Sequence, residues 1–115
     1  MAQLTIKNRT AGDVTILDLS GKITIGVGDV ALRDAVRSAL DAGATKVLVN
    51  MADVTGLDSS GVGELVSSYT STRSRGAQLK LVNLPAKVRD ILHITQLITV
   101  FETYEDEKEA VASFR

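Results

Sequence analysis

Three apolar runs of strand length alternate with segments of helical period, and that alternation limits the folds open to this chain. The runs are Val14 to Leu19, Lys46 to Met51 and Gln78 to Asn83. After the first run, Leu32, Ala35, Val36, Ala39 and Leu40 follow at helical spacing. After the second, Val62, Leu65, Val66 and Tyr69 repeat at i, i+3, i+4 and i+7. After the third, Pro85 suits a first helical turn, with Val88, Ile91 and Leu92 on the inner face. Strands separated by helices favour a parallel sheet with helices packed on it.

The ends of the chain complete this outline. Leu4, Ile6 and Asn8 alternate with polar residues, as on an edge strand, and Ala11-Gly12-Asp13 reads as a turn. The strand from Val14 is expected to end at Ser20-Gly21, so the first two strands form an antiparallel hairpin. Asp29 is a candidate N-cap for the first helix, and Gly43 is placed to stop it. Ile98, Val100 and Phe101 suggest a last short strand. Tyr104 to Phe114 reads as a closing helix with Ala110, Val111 and Phe114 facing in. The expected order is ββαβαβαβα. The fold class is α/β, a mixed sheet with an N-terminal hairpin and about four helices.

Composition excludes several functions. The 115 residues suit one domain, 1–115, with a modest core. Thirteen Lys and Arg nearly balance fourteen Asp and Glu, so a net charge of -1 gives no footprint for direct nucleic-acid or anionic-membrane binding. No cysteine is present, so no thiolate metal site or disulfide can form, which fits a cytoplasmic protein. With a single histidine as well, no metal site is expected. Met1 to Lys7 has no basic region followed by a long apolar run, unlike a secretory signal. No apolar run approaches the roughly 20 residues that span a bilayer.

The stretch Gly56-Leu57-Asp58-Ser59-Ser60-Gly61-Val62-Gly63 carries the strongest functional signal. It lies between a strand and a helix, where open α/β sheets form their sites. Asp58 and Ser59 can cap the helix, and Gly61 and Gly63 leave its first turn nearly bare. A serine there is exposed beside amide groups that favour an anion. An ordinary cap is the simple alternative. Against it, a cap needs one polar residue and three occur in a row. Two glycines in a helical turn also cost about 1 kcal/mol each against alanine. Close approach of another protein surface would explain them.

Asp58-Ser59-Ser60-Gly61-Val62-Gly63 resembles the phosphorylation motif of bacterial anti-sigma factor antagonists, the stand-alone members of the STAS domain family. The resemblance covers nearly the whole chain: the hairpin ending in Ser20-Gly21, the helix around Leu32 to Leu40, the strand Lys46 to Met51, the Asp58 motif, the segment Gly76 to Asn83, and the Glu-rich closing helix. It implies that Ser59 is the phosphoacceptor, that Asp58 helps to position it, and that Ser60 stands where the family accepts Ser or Thr. The implied partner-binding residues are Asp58, Ser59, Ser60, Gly61, Val62 and Gly63. The implied partners are an anti-sigma factor that is also a serine kinase, and a serine phosphatase. The family is a binding switch and not an enzyme, so no catalytic residue and no cofactor are expected. The other role open to a STAS domain is a permanent adaptor subunit in a lipid-transport ATPase or stress-signalling complex. Lys22 departs from the family, which often has an acidic residue after the glycine.

Two other patterns compete. Gly26-Val27-Gly28-Asp29-Val30-Ala31 formally matches a loose dinucleotide fingerprint, with Asn50 and Asp53 where a ribose ligand might be sought. The chain is too short for two mononucleotide halves and a substrate domain, so a flexible lead into the first helix is expected there. Ser59, Asp58 and His93 could in principle form a hydrolase triad, but the G-x-S-x-G elbow is not met because Leu57 replaces the first glycine. His93 fits the end of a helix, where a cation is favoured. The acidic group Glu102 to Glu109 suits the start of a helix, and the sparse aromatics suit core faces.

Overall fold

In the computed structural model, which describes residues 4–115, the chain folds into five strands and four helices. β1 (Leu4–Ala11) and β2 (Val14–Ile23) form the hairpin, closed by Gly12 and Asp13, with Gly12 at a φ of 62°. Then follow α1 (Gly28–Asp41), β3 (Lys46–Leu57), α2 (Ser59–Ser74), β4 (Gln78–Val82), α3 (Ala86–Ile94), β5 (Thr103–Tyr104) and α4 (Glu107–Ser113). The sheet order is β1-β2-β3-β4-β5. Only β1 and β2 pair antiparallel; every later neighbour is parallel. The expected mixed α/β sheet with an N-terminal hairpin and four helices is therefore observed. The signal-sequence reading rests partly on residues 1–3, which lie outside the described residues.

Alternation along the strands separates two cores. Leu17, Leu19, Val47, Val49, Met51, Leu79 and Leu81 turn toward α1, α2 and α3, where Leu32, Val36, Leu65, Val88 and Leu92 complete the larger core. The intervening residues Val14, Ile16, Leu48 and Val82 face the other way and pack on Ala110 and Phe114 of α4. Because α4 has 7 residues, it covers only part of that face. Beyond it the sheet is polar. Arg9 donates to Asp18 at 2.6 Å and also to Glu107, Asn50 donates to Asp18 at 2.8 Å, and Asn83 donates to Asn50 at 3.1 Å.

Several expected boundaries move. β2 runs past Ser20-Gly21 to Ile23, and β3 runs past Met51 to Leu57, because the two strands stay paired through irregular registers at Ser20↔Asp53 and Lys22↔Gly56. α1 is preceded by Val27, with no side-chain cap. Asp29 lies inside its first turn, accepting from its neighbour Val30, so it is not the cap. Gly43 does end α1, at a φ of 98°, with the Ala44 amide donating back to the Ala39 carbonyl at 3.0 Å. The expected strand at Ile98 to Phe101 is instead a 3-10 turn at Leu97–Thr99 followed by buried Phe101. The fifth strand is Thr103–Tyr104, where Leu81 and Asn83 amides bond to the carbonyls of Glu102 and Tyr104. Tyr104 is thus a strand residue, and α4 starts at Glu107 behind an Asp106 cap.

Candidate functional site

β3 delivers the chain directly into the motif. Leu57 is the last strand residue, and Asp58 is extended, with φ -107° and ψ -175°, as an N-cap requires. One carboxylate oxygen of Asp58 accepts from the Gly61 amide at 2.8 Å, and the other accepts from the Ile25 amide at 3.0 Å. Asp58 therefore caps α2 and also holds the loop between β2 and α1. These contacts, Ile25 first and Gly61 second with Ser60 contributing, keep its carboxyl below the usual carboxylate range. The cap is Asp58 alone; Ser59 is the first helical residue.

Ser59 is exposed, and among the described residues its hydroxyl has no hydrogen-bond partner. It stands at the N-terminus of a 16-residue helix, where free amides and the helix dipole favour negative charge. Ser60 is half-buried. Val62 turns into the protein at 8 % exposure and carries the first full helical bond, donating to the Asp58 carbonyl at 2.9 Å.

The two glycines differ. Gly63 is exposed, and a Cβ there would meet nothing within 4 Å. Gly61 is buried, and a Cβ there would stand 2.0 Å from the Ile23 carbonyl oxygen and 2.7 Å from the Leu57 side chain. The expectation that both leave room for a partner is corrected for Gly61: it leaves room for this chain's own backbone. Only tertiary pairing of β2 with the start of α2 reveals this.

The glycines of the loose dinucleotide fingerprint have a similar explanation. A Cβ on Gly28 would lie 2.2 Å from the Lys22 carbonyl oxygen, so Gly28 lets α1 sit against the end of β2. Asn50 is bonded to Asp18, Asn83 and the Ala52 amide on the polar part of the sheet face that carries α4, away from α1. The loop and Asn50 therefore do not converge on one ligand. His93 is exposed in the last turn of α3 and bonds to neither Ser59 nor Asp58.

The surroundings of Ser59 include features the sequence reading did not single out. Ile25 and Val27, in the loop held by Asp58, are 69 % and 47 % exposed, and Val30 follows at 37 %. They form an apolar shoulder beside the motif. A groove of about 350 Å³ also runs between the end of β3 and α3, lined by Thr55, Leu57, Lys87 and Ile91. Large apolar side chains left in water at a loop were the available signal.

Comparison with known proteins agrees with this geometry. A family model described as the STAS domain matches residues 5–110. No curated protein sequence matches the chain significantly. Among solved structures, an anti-sigma factor antagonist from Mycobacterium paratuberculosis superposes with a TM-score of 0.84 at 21% identity, covering 96% of this chain and 92% of that one. A candidate anti-sigma factor antagonist from Thermotoga maritima superposes with a TM-score of 0.80 at 25% identity, covering 93% and 92%. The Bacillus cell fate determinant SpoIIAA, solved in its phosphorylated form, gives a TM-score of 0.72 at 19% identity, covering 96% and 100%.

Proposed function

The chain belongs to the STAS domain family, and from that premise we propose that it is an anti-sigma factor antagonist whose binding is switched by phosphorylation of Ser59. The observation that carries this reading is the exposed Ser59 hydroxyl at the start of α2, beside the Asp58 cap and without a partner among the described residues. In this reading residues 1–115 act as one cytoplasmic binding domain and not as an enzyme. The unphosphorylated form binds an anti-sigma factor serine kinase and so frees a sigma factor. The kinase phosphorylates Ser59, and a serine phosphatase resets the switch.

The physical chemistry supports such a device. A phosphate adds about -1.5 to -2 charges at pH 7. The dipole of α2 and the first-turn amides that Asp58 leaves unengaged can hold that charge, so the fold need not change. The charge and bulk would stand beside the apolar shoulder at Ile25 and Val27, in the loop that Asp58 holds, and so within a contact made there. The Asp58 carboxylate adds like charge next to it. A hundredfold loss of affinity needs only about 2.7 kcal/mol. Among the described residues, no helix is long and apolar enough to cross a membrane.

Incubation with the kinase partner and ATP, followed by mass spectrometry of the modified site, tests the assignment. Phosphate is expected on Ser59. Phosphate mainly on Ser60, or on neither serine, overturns it.

A further inference from the structure

Parallel neighbours α1 and α2 flank an open groove of about 450 Å³, lined on α2 from Glu64 to Arg75 and not by Ser59. Each end is closed by an ion pair between the helices. At one end Arg33 donates to Glu64 at 2.9 Å, and at the other Arg75 donates to Asp41 at 2.8 Å. Glu64 is buried at 7 % exposure, and its second oxygen accepts from Ser68 at 3.1 Å. Both end cations are thus neutralised by carboxylates.

Midway lies Arg37, one turn from Arg33 and one turn from Asp41, about 6 Å along the axis from each. Arg37 lines the groove and, among the described residues, has no ion-pair or hydrogen-bond partner. On the facing helix the groove is lined at this level by Ser67 and Ser71, whose hydroxyls also lack partners among the described residues. Serine is a weaker helix former than alanine, so a helix gains nothing locally from this row. Arg37, Ser67 and Ser71 are all exposed, so a permanently charged guanidinium and two hydroxyls face one another across the groove with only solvent to accept from them. Cavities of this volume take small molecules.

We propose that the α1–α2 groove is a binding site for the phosphate group of a small phosphorylated ligand, held by Arg37 with the Ser67 and Ser71 hydroxyls. Tetrahedral phosphate oxygens accept from a guanidinium fork and from hydroxyls together. The flanking ion pairs fix the helix spacing, and Glu64 and Asp41 leave one central place for an anion. The site is independent of the switch proposed at Ser59.

The test is titration of the ¹⁵N-labelled full chain with inorganic phosphate and then pyrophosphate at constant ionic strength, followed by amide chemical shifts. Saturating shifts are expected at Arg37, Ser67 and Ser71. Arg37→Ala should weaken binding about tenfold, and the Ser67→Ala/Ser71→Ala pair should weaken it severalfold, with circular dichroism unchanged. Lys108→Ala, an equal charge change on α4, should bind as wild type. Ser59→Ala should also bind as wild type, which separates this site from the switch. Shifts that rise linearly without saturation, or binding that survives Arg37→Ala unchanged, would overturn the proposal.

Discussion

Gly61 lies directly against Ile23: a Cβ on the glycine would stand 2.0 Å from the isoleucine carbonyl oxygen. The Asp58 amide donates to that same carbonyl at 3.4 Å. The end of β2 and the first turn of α2 are therefore in backbone contact, and Asp58 reinforces the contact by holding Ile25. The proposed switch is built on this junction, which places an exposed serine on a rigid support.

The two motif glycines should separate in a stability measurement. Gly61→Ala must push two backbones apart and should cost about 1–3 kcal/mol, as overpacking does. Gly63→Ala has open space and a helical backbone, and should raise stability by up to about 1 kcal/mol. Urea unfolding of both variants checks this. Equal destabilisation would place Gly63 against a neighbour as well.

Acid should unfold the protein through identifiable carboxylates. Arg9 holds Asp18 and Glu107 below the usual carboxylate range, and the Ile25 and Gly61 amides do the same for Asp58. A lowered folded pKa gives stability that is present above the unfolded value, about pH 4, and lost as pH falls through the folded value. Arg9→Gln should lower stability at neutral pH and make its fall below about pH 4 shallower. Asp58→Asn should do the same through a different set of bonds. Unfolding midpoints measured from neutral to acid pH report both slopes, and an unchanged profile in Arg9→Gln would contradict the assignment.

Lys80 should prove to be an anchor for α4. It is 4 % exposed, donates to the Ser113 carbonyl and hydroxyl at 3.0 Å each, and lies 4.8 Å over the Phe114 ring. Its ion pair with Glu102, at 3.3 Å, reaches solvent. Lys80→Met keeps the stem but leaves the Ser113 carbonyl unpaired, with a cost of about 1–3 kcal/mol. Hydrogen exchange should accelerate first in α4. Uniform acceleration across the sheet would show that α4 is not a separate element.

Element order was readable because apolar spacing differs between strand and helix, and the runs at Val14, Lys46 and Gln78 show it plainly. Their lengths were not readable. β2 and β3 continue through Gly21 and Gly56, residues with weak strand preference, because each strand supplies the other's hydrogen bonds. The sequence points to the wrong last strand because Ile98, Val100 and Phe101 are apolar for packing, while Thr103 and Tyr104 pair with β4. Asp29 was a reasonable cap by residue type, yet the chain reaches α1 from Lys22 through a close contact at Gly28. The Asp58 motif was legible because capping is local. The bond from Asp58 to Ile25 spans 33 residues and was not.

Substitutions at the phosphoacceptor should divide by charge. Ser59→Ala removes only an exposed hydroxyl, so it should keep the fold, bind the anti-sigma partner and resist inactivation by ATP. Ser59→Asp should bind much more weakly with the same circular dichroism. Calorimetric titration checks both, and tight binding by Ser59→Asp would weaken an electrostatic mechanism.

Protein phosphorylated on Ser59 gives the most direct test. Its affinity for the anti-sigma factor kinase should be compared with that of the unmodified protein by calorimetric titration at one salt concentration. Loss of about 100-fold or more, near 2.7 kcal/mol, with an unchanged circular dichroism spectrum, is the predicted result. Equal affinity of the two forms would contradict the switch and leave the domain as a constitutive adaptor.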